Sequence, residues 1–437
     1  MTSHQNLSVL RQSAEQSPDD INRWLDLCAE AEKLGDYTQV LNAGEQIIRL
    51  APDKPQSHYI RGMALHRLDR IEEAANAYKR VLALDDNYLD GWVNFGECMR
   101  LLNRIPEAEE ACHRAIAVSG QGPDQSDYGS HYLNLALIEL LKGDLASGFK
   151  HYPARFKAIT HKKRAGYTQP FWRGEDLRGK AILVVVDQGH GDTLMMARYL
   201  PLLKERGARV IMQVQPGLVS LLNDWNGVDQ VLDASRDTPA AFDYHVWEFD
   251  LPRIFETTLK TVPAKIPYLP IVSPDRATYL PDDGEPRIGV AWAGNPDHRD
   301  DHRRSIPLAN FKSLFDVSGF QFFNLNRDMR PGDAELIAQL PVTDLAPRLS
   351  DFAATARFIY QFDLIITCDT AIAHLAGGMG KPVWILLPFA PSWHWMMERE
   401  DSPWYPTARL FRQKIRGDWD EVMKRVAGAL TDWSPSR

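Results

Sequence analysis

Four short segments of this chain carry residues whose types and spacing suit chemistry on a phosphate-bearing ligand. The first is Asp369-Thr370-Ala371-Ile372-Ala373-His374. It follows an apolar run, and Asp369 or Thr370 stands where a helix would be capped. Amide N–H groups at such a helix start attract a diphosphate. A plain cap with His374 packed behind it reads from the same residues. The second segment is Trp292-Ala293-Gly294-Asn295, which opens a loop holding His298, Arg299, His302, Arg303 and Arg304. Small residues at a strand end let a ligand approach the backbone, and Arg303 or Arg304 can neutralise a leaving phosphate. A solvated basic loop balanced by Asp297, Asp300 and Asp301 is the competing reading. The third segment, Gln188-Gly189-His190-Gly191-Asp192-Thr193, opens a helix that Asp192 can cap. It lacks the third glycine of a dinucleotide fingerprint. The fourth runs over residues 388–406 and sets Pro388, Phe389, Trp393, Trp395 and Trp404 after another apolar run. Aromatic faces there can stack on a base or pack an irregular loop.

These segments need strands and helices to hold them. Residues 181–186 form a continuous apolar run, as a buried parallel strand does. Strands are also expected at 209–214, 244–247, 287–292, 321–325, 363–367, 383–387 and 409–411, with helices between them, including one over 193–206. The βαβ rhythm suits doubly wound sheets. It is interrupted at 262–286, where Pro263, Pro267, Pro270, Pro274, Pro281 and Pro286 mark a linker. A terminal amphipathic helix is expected over 418–430.

The first 160 residues read differently. Cys28, Gly62 and Gly96 lie 34 apart, as do Leu34, Leu68 and Leu102, and Ile47, Val81 and Ala115. Gly35-Asp36 returns as Gly143-Asp144, offset by a polar loop at 119–127. Paired amphipathic helices at that period stack, because one pair alone cannot bury its apolar face. Trp92, Phe95, Gly96, Ala108 and Ala115, with Gly62, Ala74, Tyr78 and Pro52, resemble the tetratricopeptide repeat. Such an arm presents a concave protein-binding surface, with Tyr88, Tyr128, His131 and Tyr132 as contact candidates or repeat-packing residues. Lys157, Lys162, Lys163 and Arg164 read as a solvated helix end or an acidic-partner contact.

Composition sets the outer limits. The chain has 437 residues, 44% hydrophobic and 25% charged, with a net charge of -8. That excludes a largely disordered chain and disfavours nucleic acid as a partner. Cys28, Cys98, Cys112 and Cys368 lack zinc spacing and are expected as reduced thiols. Neither a signal peptide nor a transmembrane segment is evident, so a cytoplasmic location is expected.

Two Rossmann-like units, a linker and a terminal helix resemble the GT-B glycosyltransferase architecture. The segments at 187–198, 290–308, 369–377 and 388–406 together resemble bacterial TPR-containing glycosyltransferases. Their catalytic region is similar to the ADP-heptose:lipopolysaccharide heptosyltransferase family. The expected organisation is a TPR repeat domain at 1–160, an acceptor-side Rossmann-like domain at 161–280 and a nucleotide-sugar-binding Rossmann-like domain at 281–437. The resemblance implies an inverting transfer from a nucleotide-sugar to an acceptor docked by the TPR arm, flagellin or another surface protein being candidates. It implies Asp192 as general base, with His190 as a second proton acceptor or a polar loop residue. It implies Asn295, Arg303, Arg304, Asp369, Thr370, Ala371 and His374 as donor and phosphate contacts, with Asp369 on a sugar or ribose hydroxyl. Gly189, Gly191, Trp292, Pro388, Phe389 and Trp393 become base or sugar contacts. The family's lysine before the helix is replaced here by Arg304. No DxD pair sits at a strand end: Asp282-Asp283 lies in the linker and Asp300-Asp301 in the basic loop. Phosphate stabilisation is therefore expected without an obligatory metal or other cofactor. A non-catalytic TPR scaffold that senses a nucleotide-sugar is the alternative, and a sugar-nucleotide epimerase a third reading.

Overall fold

The structure, a computed structural model, describes residues 3–120, 129–158, 167–239, 241–281 and 284–435. Contacts divide the chain into two compact units. One is Met1–Glu139 with Lys150–His161, and the other is Leu140–Phe149 with Lys162–Arg437. Tyr128, Lys162, Lys163, Arg164, Asp282 and Asp283 lie outside the described residues.

The 34-residue period is a helix period. Helices Ile21–Lys33, Pro55–Arg67 and Leu89–Leu101 are equal in length, and each is followed by a partner: Tyr37–Leu50, Ile71–Leu84 and Ile105–Ser119. Gly62 has a clear packing reason to be glycine. A Cβ there would stand 2.8 Å from the buried Tyr78 ring, so the helices can approach only without a side chain. His131 and Tyr132 are 3% and 5% exposed, so both belong to the core rather than to a contact surface. Tyr88 is half-buried, and its hydroxyl donates to Gln56 Oε1.

The second unit carries two all-parallel sheets. The first contains β1 (Ala181–Val185), β2 (Arg209–Val214), β3 (Gln230–Asp233) and β4 (Tyr244–Trp247), in the order β3-β2-β1-β4. The second contains β5 (Arg287–Ala291), β6 (Gln321–Asn324), β7 (Val342–Asp344), β8 (Leu364–Cys368), β9 (Val383–Leu387) and β10 (Ala408–Arg412), ordered β10-β9-β8-β5-β6-β7. Counted within itself, the second sheet has the doubly wound order 3-2-1-4-5-6, whose direction of winding reverses between β5 and β8. In such sheets ligands bind outside the carboxyl ends of the strands at that reversal. The central strands β5, β8 and β9 are buried along their whole length, which is why they read as unbroken apolar runs. The N-terminal repeat and the parallel α/β region are thus the fold class expected from sequence.

Two details differ from expectation. The strands β3 and β7 are additional, and both are short. The helix expected over 193–206 is broken into His190–Met196, a 3₁₀ turn at Ala197–Tyr199, and Leu200–Glu205. Pro201 cannot donate a backbone hydrogen bond and its ring crowds the preceding turn, which breaks the ladder there. The terminal helix is Trp419–Thr431, capped by Asp418 through the Glu421 N–H. No helix among the described residues is long and apolar enough to cross a membrane. All four cysteines are buried and free, and burial pushes the Cys28 and Cys112 thiols up to about 12.

Candidate functional site

Within the second unit, three of the four segments singled out above follow strands that flank the two reversal points, and the fourth follows β9, the neighbour of β8. In the first sheet, β1 runs into Gly189–Asp192 while β4 runs into Glu248. In the second, β5 runs into Trp292–Asn295 while β8 runs into Asp369–Thr370. The helices His190–Met196 and Ala371–Gly378 bring the two sets together. Gly191 is so close to the second helix that a Cβ would lie 2.7 Å from His374 Cδ2 and 3.3 Å from Ala371 Cα.

Asp192 closes a capping arrangement: its Oδ2 accepts the Gly189 N–H at 3.1 Å. Beneath it lies Glu248, fully buried at the end of β4. Glu248 Oε1 accepts the Asp187 N–H at 3.3 Å, and its Oε2 has no hydrogen-bond partner. Burial first, and then the charges of Asp187 and Asp192, push the Glu248 carboxyl well above the usual range. The sequence reading missed Glu248. His190 is half-buried and stacks on Phe352 at 5.2 Å; burial lowers its pKa.

At the end of β8, Thr370 occupies the N-cap position of Ala371–Gly378 without capping it through its side chain. Its hydroxyl pairs with Thr367 at 3.2 Å. Asp369 does not cap either, because its Oδ2 accepts from Ser392 Oγ at 2.6 Å. The helix start therefore has no side-chain cap, which leaves its N–H groups suited to an external anion. Burial raises the Asp369 carboxyl, but His394 beside it, the His374 charge and the Ser392 hydroxyl outweigh burial and hold it below the ordinary range. His374 pairs through Nδ1 with Tyr405 Oη at 2.8 Å and stacks on Trp395 at 5.3 Å. Burial first, and then His394 beside it, lowers its pKa well below the ordinary value.

The basic loop is partly self-neutralised. Arg303 Nη1 donates to Asp300 Oδ1 at 2.9 Å. Arg304 Nε lies 3.5 Å from Asp301 Oδ1, and Arg330, which the sequence reading did not single out, also donates to Asp301 and to the Gly294 carbonyl at 2.9 Å. The Arg304 charge lowers the pKa of His374, alongside burial, and of Cys368, against it. Asn295 is exposed and folds onto its own loop, Oδ1 accepting the Asp297 N–H at 3.0 Å.

Several aromatic candidates are core residues. Trp292 is fully buried, its indole donating to Asp333 at 2.8 Å and its ring lying 6.2 Å from Phe311. Trp393 is 8% exposed and packs edge-on to Phe149 at 5.5 Å and Trp404 at 5.9 Å. Neither ring offers a free face to a base, because neighbouring rings fill the space. Pro388 is buried, while Phe389 is half-buried with its N–H on Gln413. The network also contains Arg198, 2% exposed, whose guanidinium donates to Met195 O and Trp404 O at 2.7 Å, Tyr268 Oη at 3.0 Å and Pro263 O at 3.3 Å. Tyr268 itself comes from the proline-rich linker, whose N–H groups at 268 and 269 bond the Gly378 carbonyl.

Comparisons with known proteins agree with the repeat. The sequence model of the family described as tetratricopeptide repeat matches residues 55–88. The chain is 25% identical to Protein FlbA of Caulobacter vibrioides, over 94% of this chain and 84% of FlbA. Among solved structures, the O-GlcNAc transferase of Thermobaculum terrenum aligns over 94% of this chain and 91% of its own, at 14% identity and a TM-score of 0.34. MamA from Desulfovibrio magneticus aligns over 37% of this chain and 89% of its own, at 15% identity and a TM-score of 0.32. At those scores neither structural likeness carries an argument, and the architecture rests on the strand order and helix period described above.

Proposed function

We propose that the α/β region transfers a sugar, with inversion, from a nucleotide-sugar to a hydroxyl of an acceptor protein held by the repeat arm. The observation that carries this reading is the close approach of Gly189–Asp192 and Asp369–His374, with Gly191 against Ala371 and His374, each segment at the reversal point of its own parallel sheet. In the proposed reaction Asp192 accepts the hydroxyl proton as the acceptor oxygen bonds to the anomeric carbon. The bond from that carbon to the phosphate oxygen breaks on the opposite face. The departing nucleotide takes the electron pair, and its charge is met by Arg304 and the uncapped start of Ala371–Gly378. Protein groups, rather than a carboxylate-held cation, serve the leaving phosphate. Flagellin is one acceptor to test.

The experiment is a thermal-shift panel of ADP, UDP, GDP and CMP in the presence of EDTA, run on the native chain and on Asp192→Asn. A nucleotide at about 100 times its Kd stabilises by about 2.7 kcal/mol. One nucleotide is expected to shift both proteins equally, while sugar transfer falls about 10²–10⁴-fold in the variant. Unimpaired transfer by Asp192→Asn would remove Asp192 as the base. No shift with any nucleotide would sink the transferase reading and favour a scaffold.

A further inference from the structure

The segment Asp369–His374, used above for its helix start, also contributes two side chains to a buried cluster with His394. Asp369, His374 and His394 are 4%, 4% and 5% exposed. One ligand atom from each lies within 4.8 Å of the other two. Asp369 Oδ1 is 3.7 Å from His394 Nε2. That is too long for a hydrogen bond. Both ring nitrogens of His394 are buried without a hydrogen-bond partner. Leaving a buried polar group without a hydrogen bond is costly, so an imidazole whose Nδ1 is unpaired and whose Nε2 meets only a carboxylate at 3.7 Å calls for an occupant.

The spacing fits one kind of occupant. Ligand atoms held at about 2.0–2.1 Å around a tetrahedral ion lie roughly 3.3 Å from one another. The Asp369–His394 pair at 3.7 Å needs to close by a few tenths of an ångström, and the other pairs by at most about 1.5 Å. The groups behind the cluster also behave as orienting partners. Ser392 fixes the second carboxylate oxygen at 2.6 Å, and Tyr405 fixes one nitrogen of His374 at 2.8 Å. Metal-ligating side chains are characteristically held by such outer contacts. We propose that Asp369, His374 and His394 form a binding site for a divalent transition-metal ion of the zinc type. Two imidazoles and one carboxylate suit zinc, cobalt, nickel or iron, and not calcium or magnesium, which demand more oxygen donors. Three protein ligands leave a fourth position for water or another ligand. The ion joins the end of β8 and its helix to the loop after β9 that carries His394. It clamps that loop and is separate from the cations assigned to the leaving phosphate.

The test uses the full chain, stripped with EDTA and desalted, then titrated with Co²⁺ alone and, separately, with Zn²⁺ alone. One equivalent of Co²⁺ should bind with the intense visible absorption of a four-coordinate site, and Zn²⁺ should displace it and raise the melting temperature. His394→Phe preserves the aromatic packing with Trp393 and Trp395 while deleting the ligand; Asp369→Asn is the second variant. Each should weaken Co²⁺ binding about 100-fold or more with an unchanged circular-dichroism spectrum. Absence of one-to-one binding in the native chain overturns the proposal. So does retention of the band in a folded His394→Phe, which would place the ion on other histidines. The nucleotide panel reads the transfer hypothesis separately when it is run on both the EDTA-stripped and the Zn²⁺-loaded chain, since a shift in either supports the transferase reading whatever the metal titration shows.

Discussion

Asp192 and Glu248 show how differently two carboxylates can be written into a chain. Asp192 stands in a short glycine-framed segment and was legible as a cap or a base. The cap is present, so its removal has a structural cost that a base test must separate. Asp192→Ala should lose about 1 kcal/mol of stability along with transfer. Asp192→Asn, which keeps an oxygen for the Gly189 N–H, should melt within a degree or two of the native chain. Comparing the two melting curves checks this, and equal melting would deny the cap an energetic role. Glu248 is one of 58 acidic residues, and nothing in its spacing marks it. Its burial and its neighbours Asp187 and Asp192 come only from strand order. Its folded pKa is raised above the unfolded value, so its contribution to stability is complete below about pH 4.5 and is lost as pH rises through the folded value. Glu248→Gln carries no charge to lose. Its melting temperature relative to the native chain should therefore climb between pH 5 and pH 8, and a difference independent of pH would contradict that account.

At the scale of elements, the strongest signals were those that repeat. The 34-residue period survives as three equal helices, because each repeat solves the same packing problem with the same large and small residues. Gly62→Ala gains up to about 1 kcal/mol of helix propensity but drives a methyl into the Tyr78 ring, an overpacking that costs about 1–3 kcal/mol. Tyr78 is fully buried and three of its ring atoms lie within 3.0 Å of the new Cβ, so the balance should be a loss of about 1–2 kcal/mol. Chemical denaturation measures it, and a stabilised variant would show that Tyr78 can move aside. Gly191→Ala applies the same argument where helices His190–Met196 and Ala371–Gly378 touch. Its Cβ meets backbone at Ala371 as well as His374, so the two helices must part. Transfer should fall at least tenfold with little change in far-ultraviolet circular dichroism. The elements that the sequence hid were the small ones. Strands β3 and β7 have four and three residues, too few for a period to show. Thr370 hid its behaviour too. A threonine before a helix normally caps it, but here Thr367 offers the hydroxyl a nearer partner.

Across the α/β region as a whole, Arg198 does what no local pattern announces. It extends from the helical segment after β1, and its guanidinium reaches the linker at Pro263 and Tyr268 and the loop at Trp404, while lying over the rings of Tyr268, Tyr405 and Trp404 at 4.6, 4.8 and 5.2 Å. Lysine lacks the planar fork that serves several acceptors at once. Arg198→Lys should lower the unfolding free energy of this region by about 3 kcal/mol through the buried acceptors it leaves unpaired. A denaturant midpoint unchanged from the native chain would refute that. The sequence by itself determined the repeat arm, most of the parallel strands and the positions of the four polar and aromatic segments at strand ends. Those are properties of short windows, where periodicity and apolar runs follow from the geometry of one element. The tertiary structure alone decided that residues 191 and 374 meet, that Glu248 lies beneath Asp192, that Trp292 and Trp393 are core, and that Asp369 faces His394. Each of these depends on which elements pack together. That choice is fixed by burial summed over whole faces, and no single residue along the chain carries it.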